Sequence, residues 1–296
     1  MGCCAGKLQF HKETKRQDKN EYLAAARAVE TGAGLTKDVH MDMGRPLTDY
    51  YINASHNTYL YGDQLTSAST PLAVSRASAG HRVDSSNYDP SLSWALGCQV
   101  VALNCQAKDS DEQLYVNYGK FLANGRCGYV LKPEYLRGEN CGAFAAKAIE
   151  KTLPIRASLK ITIQGAKGWT GGWGRESSPD VYCRARVAGG PPQDCRDWWK
   201  TKTVQNSVAP QWDAEFTQAL AAPELCVVVL ECWDDDTVTG DDFLGTVAVP
   251  LAEVTAGKQL DLPLLAATLA PWPRKHGAPS LQVTFDLVYA DNVRSA

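Results

Sequence analysis

From residue 156 onward the chain alternates, and that alternation restricts the fold more than any other feature. The segments SLKITIQGA, DVYCRARV, CVVVLECWD and LQVTFDLVY set apolar residues at every second position or in short runs, with Gly, Pro and Asp turns between them. A period of two places one row of side chains on each face of a strand, so each segment needs a covering sheet for its apolar row. Several in succession predict an antiparallel β-sandwich over residues 156–290.

The loops of that sandwich carry carboxylates. ECWDDDTVTGDDFLG sets Asp234, Asp236 and Asp242 at spacings of two and six, with Asp235 and Asp241 beside them. Acids crowded at a sheet edge repel, and a hard, oxygen-seeking cation relieves that repulsion. A solvated polar turn is the competing reading of the same residues. Trp169 and Trp173 stand among glycines in an earlier loop, a setting that suits either insertion between lipid headgroups or a place in the core.

Residues 46–137 read differently. Tyr50, Tyr51 and Ile52 open the stretch YYINASHNTYLYGD as a buried strand, and Gly62-Asp63 ends it in a turn. His56 and Asn57 follow the strand, where a histidine and an amide can meet a phosphate or a metal; a histidine packed for purely structural reasons also fits. Val100, Val101, Ala102 and Leu103 make a continuous apolar run, as expected of a parallel strand buried on both faces. Residues 138–155 read as a linker with a short helix containing Ala143, Ala145, Ala146 and Ala148, stopped by Pro154.

Residues 1–45 form a tail with a chemistry of their own. Removal of Met1 exposes Gly2 for myristoylation, and Cys3 and Cys4 stand beside it for palmitoylation. Gly6 occupies the position where the usual motif has Ser or Thr. Lys7, Lys12, Lys15, Arg16 and Lys19 add attraction to an anionic leaflet, about 1 kcal/mol each near the surface. A short amphipathic helix is predicted over Asp18–Val29, stopped by Gly32 and Gly34.

The net charge of -3 gives no basic face for nucleic acid. No apolar run approaches the roughly 18 residues of a membrane-spanning helix, and the opening MGCCAGKLQF lacks the apolar core of a secretory signal. The 10 cysteines are scattered without paired ligand spacing, which suits reduced thiols in a cytosolic compartment.

Three groups of motifs carry a family resemblance. PLTDYYINASHNTYL, followed by GDQL, resembles the start of the X half of the eukaryotic phosphoinositide-specific phospholipases C. Within Asp84–Arg137, SSNYDPSLSWALGCQVVALNCQ and GRCGYVLKPEYLR resemble the late Y half of the same enzymes. SPDVY at Ser178–Tyr182 and APQWDAEF at Ala209–Phe216 resemble C2 domains. The fold class this implies is α/β plus all-β. A partial (β/α)8 TIM barrel, with its first X strand joined near Thr70 to the late Y half, precedes an antiparallel C2 β-sandwich. Pro46–Arg137 holds 92 residues, against roughly 250 for a whole barrel, so the join omits most of the strands.

By the same resemblance, His56 is catalytic and stabilises transition-state charge, Asn57 is a ligand of the catalytic calcium, and Arg76 binds substrate. Asp180 joins Asp234, Asp236 and Asp242 as metal ligands of the C2 loops, with Gly174 standing where a further Asp is expected. The implied activity is calcium-dependent cleavage of phosphatidylinositol 4,5-bisphosphate to diacylglycerol and inositol trisphosphate. The implied partners are membrane phosphoinositides and anionic lipid, at the cytoplasmic face of the plasma membrane, in a peripheral, acyl-anchored state; no protein partner is inferable. The second catalytic His and the paired acidic ligands of the family have no counterpart here, since His81 in AGHRVDSSNY does not match that context. Little or no turnover is therefore expected. The alternatives are a non-catalytic, calcium-dependent membrane-binding protein and an incomplete copy of a longer active enzyme.

Overall fold

The computed structural model describes residues 50–52, 76–78, 86–104, 111–122, 129–137, 141–170, 178–236 and 240–290. The first sheet is built from short strands: β1 (Tyr50–Ile52), β2 (Arg76–Ser78), β3 (Val100–Ala102) and β4 (Tyr129–Leu131), in the order β2-β3-β1-β4. β2 and β1 both run parallel to β3, with Arg76 opposite Val100 and Ile52 opposite Val100. β4 closes one edge antiparallel, with Tyr51 opposite Val130. The parallel strands carry the barrel character expected from the sequence, and among the described residues the sheet is open.

Three helices pack beside it: α1 (Ser91–Ala95), α2 (Glu112–Lys120) and α3 (Cys141–Glu150). Asp111 caps α2, its side chain accepting the backbone N–H of Gln113 at 2.9 Å. Glu112 in the first turn and Lys120 in the last both oppose the helix dipole favourably.

The sandwich follows: β5 (Ala157–Trp169), β6 (Val181–Ala188), β7 (Trp199–Lys200), β8 (Gln211–Leu220), β9 (Val227–Asp234), β10 (Asp242–Pro250), β11 (Gln259–Pro263) and β12 (Gly277–Tyr289). Its two sheets run β10-β9-β6-β7 and β11-β12-β5-β8, and all neighbouring strands are antiparallel. Leu159, Ile161 and Ile163 on β5, beside Leu281, Val283 and Phe285 on β12 of the same sheet, share one core with Val228 and Leu230 on β9 of the other. Each side chain of this size contributes on the order of 1.5–3 kcal/mol by leaving water.

β9 departs from simple alternation because both of its faces are covered. Val228 and Leu230 point into the sandwich. Val227 and Val229 turn outward into a second core, which they share with Tyr51, Trp94, Val101, Tyr115, Val116 and Phe121 of the barrel portion. Contact is closest at Gly119 of α2, where a Cβ would lie 2.5 Å from Val227 Cγ1 and 2.9 Å from the Ala248 Cβ. Only a residue without a side chain lets the helix lie this deep against β9 and β10.

A polar seam borders the same contact. Arg184 on β6 pairs with Glu231 at 2.7 Å and with Glu112 of α2 at 3.3 Å, and Arg186 pairs with Glu112 at 3.2 Å. The Arg184 guanidinium lies 4.2 Å from the Trp198 ring and 4.8 Å from the Trp233 ring.

The segment read as a linker is packed. α3 buries Cys141 and Ala148. Its Phe144 stacks on Tyr135 at 4.4 Å, and Ala148 joins Ala95, Leu153 and Ala221 in a small cluster bridging the two portions. Arg156 and Glu224 add an ion pair at 2.9 Å nearby.

Candidate functional site

The sandwich sheet brings three strand ends together at its acidic edge. Asp234, the last residue of β9, lies opposite Val181 on β6 and opposite Asp242, the first residue of β10. Asp180 immediately precedes β6, so it sits beside Asp234, and Asp236 follows two residues after β9 ends. Four aspartates separated by up to 62 positions in sequence thereby collect at one edge of one sheet.

Their hydrogen bonds fix the backbone of that edge. The Asp180 N–H donates to Asp234 Oδ1 at 2.7 Å, and the Asn206 N–H donates to Asp180 Oδ1 at 2.7 Å. The Asp235 N–H donates to the Asp180 carbonyl at 2.8 Å. Thr203 Oγ1 donates to Asp235 Oδ2 at 2.5 Å, with Lys200 Nζ 3.8 Å from the same oxygen. Tyr182 donates its hydroxyl to Asp241 Oδ2 at 2.6 Å, and Lys200 Nζ lies 3.3 Å from the centre of the Tyr182 ring. Asp235 and Asp241 thus have local partners of their own.

Electrostatics single out Asp234. Partial burial pushes its carboxyl above the usual carboxylate range. The charges on Asp236, Asp180 and Asp242 push it further, against the opposing hydrogen bond from the Asp180 N–H. Mutual repulsion of this kind is what a hard cation relieves. The donor set fits such a cation in kind, being all carboxylate oxygen, with one oxygen each of Asp180 and Asp234 already accepting a backbone N–H. Among the described residues no three His, Cys, Asp or Glu side chains converge at metal-binding distance.

Trp169 settles in the core. It is 3% exposed, and its indole Nε1 donates to the Leu244 carbonyl at 3.3 Å, so headgroup insertion is not its role. Trp173 and Gly174 lie outside the described residues, as do His56, Asn57, Gly2, Cys3 and Cys4. Arg76 begins β2, its backbone paired with Val100 of β3. Among the described residues no helix is long and apolar enough to cross a membrane.

A second cluster gave no warning in the sequence. Tyr51 of β1 is 1% exposed and donates its hydroxyl to the Trp94 carbonyl at 2.7 Å. Lys120 Nζ lies 4.5 Å from the Tyr51 ring centre and Lys132 Nζ 5.5 Å from it. Lys120 donates to the Leu225 carbonyl at 3.2 Å and Lys132 to the Gly97 carbonyl at 2.7 Å. Two buried lysines flanking one ring are invisible to a reading that assigns lysine to the surface. They hold the strand that leads, in sequence, to His56 and Asn57.

Among the described residues an open sheet of barrel type is docked on an antiparallel sandwich with an acidic edge, the architecture of a partial phospholipase barrel joined to a C2 domain. Comparison with known proteins agrees. The Y domain of phosphatidylinositol-specific phospholipase C matches residues 70–135, and the C2 domain matches residues 157–264. The Y match begins at the residue where the sequence places the join. Phosphoinositide phospholipase C 7 of Arabidopsis thaliana is 37% identical over 183 residues, covering 60% of this chain and 30% of that protein. The 1-phosphatidylinositol 4,5-bisphosphate phosphodiesterase delta-3 of Mus musculus is 36% identical over 179 residues, covering 60% and 22%.

Among solved structures, PLC21 of S. officinalis superposes with a TM-score of 0.57 at 27% identity, covering 70% of this chain and 25% of that one. PLC21 of L. pealei does so with a TM-score of 0.60 at 24% identity, covering 95% and 37%. The chain thus contains a match to the phospholipase C Y domain and a match to the C2 domain, and over 60% of its length it is similar to phosphoinositide phospholipases C. It spans less than a third of the length of the curated relatives named here.

Proposed function

We propose that this chain is a phosphoinositide phospholipase C family protein that meets anionic membrane through the acidic edge of its C2 sandwich, with an incomplete catalytic set in its barrel portion. The observation that carries the reading is the gathering of Asp180, Asp234 and Asp242 on three adjacent strand ends, with Asp236 close enough to raise the Asp234 carboxyl. In this reading calcium is the cofactor, held by Asp180, Asp234, Asp236 and Asp242, where it supplies a positive charge that lipid phosphate can share. The chain's own contribution is positional. β6, β9 and β10 fix the three strand ends, and the Asn206 and Asp180 N–H groups hold two carboxylates in place.

Liposome co-sedimentation tests this. The full chain is expected to pellet with phosphatidylserine and phosphatidylinositol 4,5-bisphosphate vesicles in calcium and to be released by a chelator. Asp234→Asn with Asp236→Asn should lower the calcium-dependent fraction at least tenfold. Binding indifferent to both chelator and substitution overturns the reading.

In the same proposal, residues 1–45 form an acylated basic tail, 46–137 the partial barrel, 138–155 the packed connection and 156–290 the C2 domain. Gly2, Cys3 and Cys4 are the acylation sites, two chains being needed for stable residence where one is marginal. That places the protein at the cytoplasmic face of the membrane as a peripheral, acyl-anchored species. His56, Asn57 and Arg76 are assigned to catalysis, metal and substrate by likeness to the family's motifs alone. The family's reaction is cleavage of phosphatidylinositol 4,5-bisphosphate, which needs an acid, a base, a metal and a charge stabiliser in one place. This sequence offers too few of them for appreciable turnover.

A further inference from the structure

Cys183 on β6 and Cys232 on β9 are directly opposed across an antiparallel pair, and both are completely buried in the sandwich core. The kind of pairing matters. The Cys183 N–H donates to Thr201 Oγ1 at 2.9 Å, and the Cys183 carbonyl accepts the Thr201 N–H at 2.8 Å. Both of its backbone groups therefore face the β7 side and neither faces β9. The pair is of the non-hydrogen-bonded kind, in which opposed Cα atoms approach to about 4.5 Å. That spacing lies within the roughly 4.4–6.8 Å range over which a disulfide closes without moving the backbone. Both side chains point into the same core between the sheets. Among the described residues every cysteine is a free thiol.

We propose that Cys183 and Cys232 are a redox-responsive dithiol that closes to a cross-strand disulfide by exchange with a small-molecule disulfide such as oxidised glutathione. One thiolate attacks a glutathione sulfur, forming a mixed disulfide and releasing one glutathione. The second thiolate then attacks the protein sulfur of that mixed disulfide and releases the other. The protein loses two protons and two electrons, and the glutathione disulfide takes them up to become two glutathione thiols. Complete burial keeps the dithiol out of reach while the sandwich is closed, so exchange proceeds through opening of the sheet or during folding.

The closed form clips β6 to β9 three residues after Asp180 and two before Asp234. It thereby fixes the register that sets those two carboxylates side by side.

The full chain is refolded, and separately equilibrated in the folded state, in oxidised and in reduced glutathione. Remaining thiols are alkylated and the digest is read by mass spectrometry. The expected result is a linked peptide pair containing Cys183 and Cys232 in the oxidised sample only. Its thermal midpoint should lie several degrees above that of the reduced sample, and this shift should vanish in Cys183→Ala and in Cys232→Ala. Mapping on the parent chain needs neither variant to fold. Alkylation of both residues after refolding in oxidised glutathione, or their linkage to Cys195, Cys226 or glutathione instead, overturns the proposal.

Discussion

Lys120 shows how far one residue can depart from its usual behaviour when the chain closes over it. Burial pushes its ammonium down to about 7 from the ordinary lysine value of 10.5, the nearby Cys226 thiol opposing the shift slightly. Its compensation is partial: one carbonyl at 3.2 Å and the faces of Tyr51 and Trp94. The sign of the consequence follows from proton counting. Between about pH 7 and pH 10 the unfolded chain holds a proton at this site that the folded chain has released, so stability rises with pH across that window. The slope reaches at most about 1.4 kcal/mol per pH unit. Below pH 7 both states are protonated and this contribution levels off. Urea unfolding at pH 7, 8 and 9 should show midpoints rising in the parent and nearly level in Lys120→Met; equal slopes in the two chains would refute the assignment.

At the scale of elements, the contact between α2 and the β9–β10 pair decides how the barrel portion survives with open edges. Strands of three residues by themselves supply few ladder bonds and little buried area. The helix instead inserts into a core that Val227, Val229 and Ala248 complete from the sandwich side. Gly119→Ala forces a methyl to within 2.5 Å of Val227 Cγ1 and 2.9 Å of the Ala248 Cβ. Overpacking of this kind costs roughly 1–3 kcal/mol. The thermal midpoint should fall, and amide exchange should speed up in β9 and β10 as well as in α2. Exchange that changes in α2 alone would show that the two portions do not share a core. The packed α3 fits the same account, since Phe144 and Ala148 tie the connection to both sides.

For the whole molecule the question is what a C2 domain and part of a barrel do together. Losing one catalytic acid or base costs about 10²–10⁴-fold in rate, and losing several also removes the pocket that positions a headgroup. Purified chain with saturating calcium should therefore release negligible inositol trisphosphate from phosphatidylinositol 4,5-bisphosphate vesicles. Release that falls when His56 is changed to Ala would contradict this and assign catalytic work to the barrel portion. Membrane residence is expected to depend on the tail as well as on calcium. In fractionated cells Gly2→Ala should shift the protein from the pellet to the supernatant, and equal pelleting would exclude acyl anchoring.

The sequence by itself determined the two kinds of structure, because each rests on local periodicity. Alternation marked the sandwich strands, the apolar run Val100–Leu103 marked a parallel strand, though only its Val101 and Leu103 face is buried while Val100 and Ala102 stay half-buried, and the spacing of Asp234, Asp236 and Asp242 marked an acidic edge. These signals depend on neighbours a few residues apart, and a linear reading can see them. The tertiary structure alone decided which distant residues meet. It set Asp180 beside Asp234 through the pairing of β6 with β9, drew Trp169 into the core and buried Lys120 and Lys132 around Tyr51. It also turned the alternate valines of β9 outward to hold the barrel portion. Those outcomes depend on which faces cover one another, and burial of a face is a property of the packed molecule rather than of any segment of its chain.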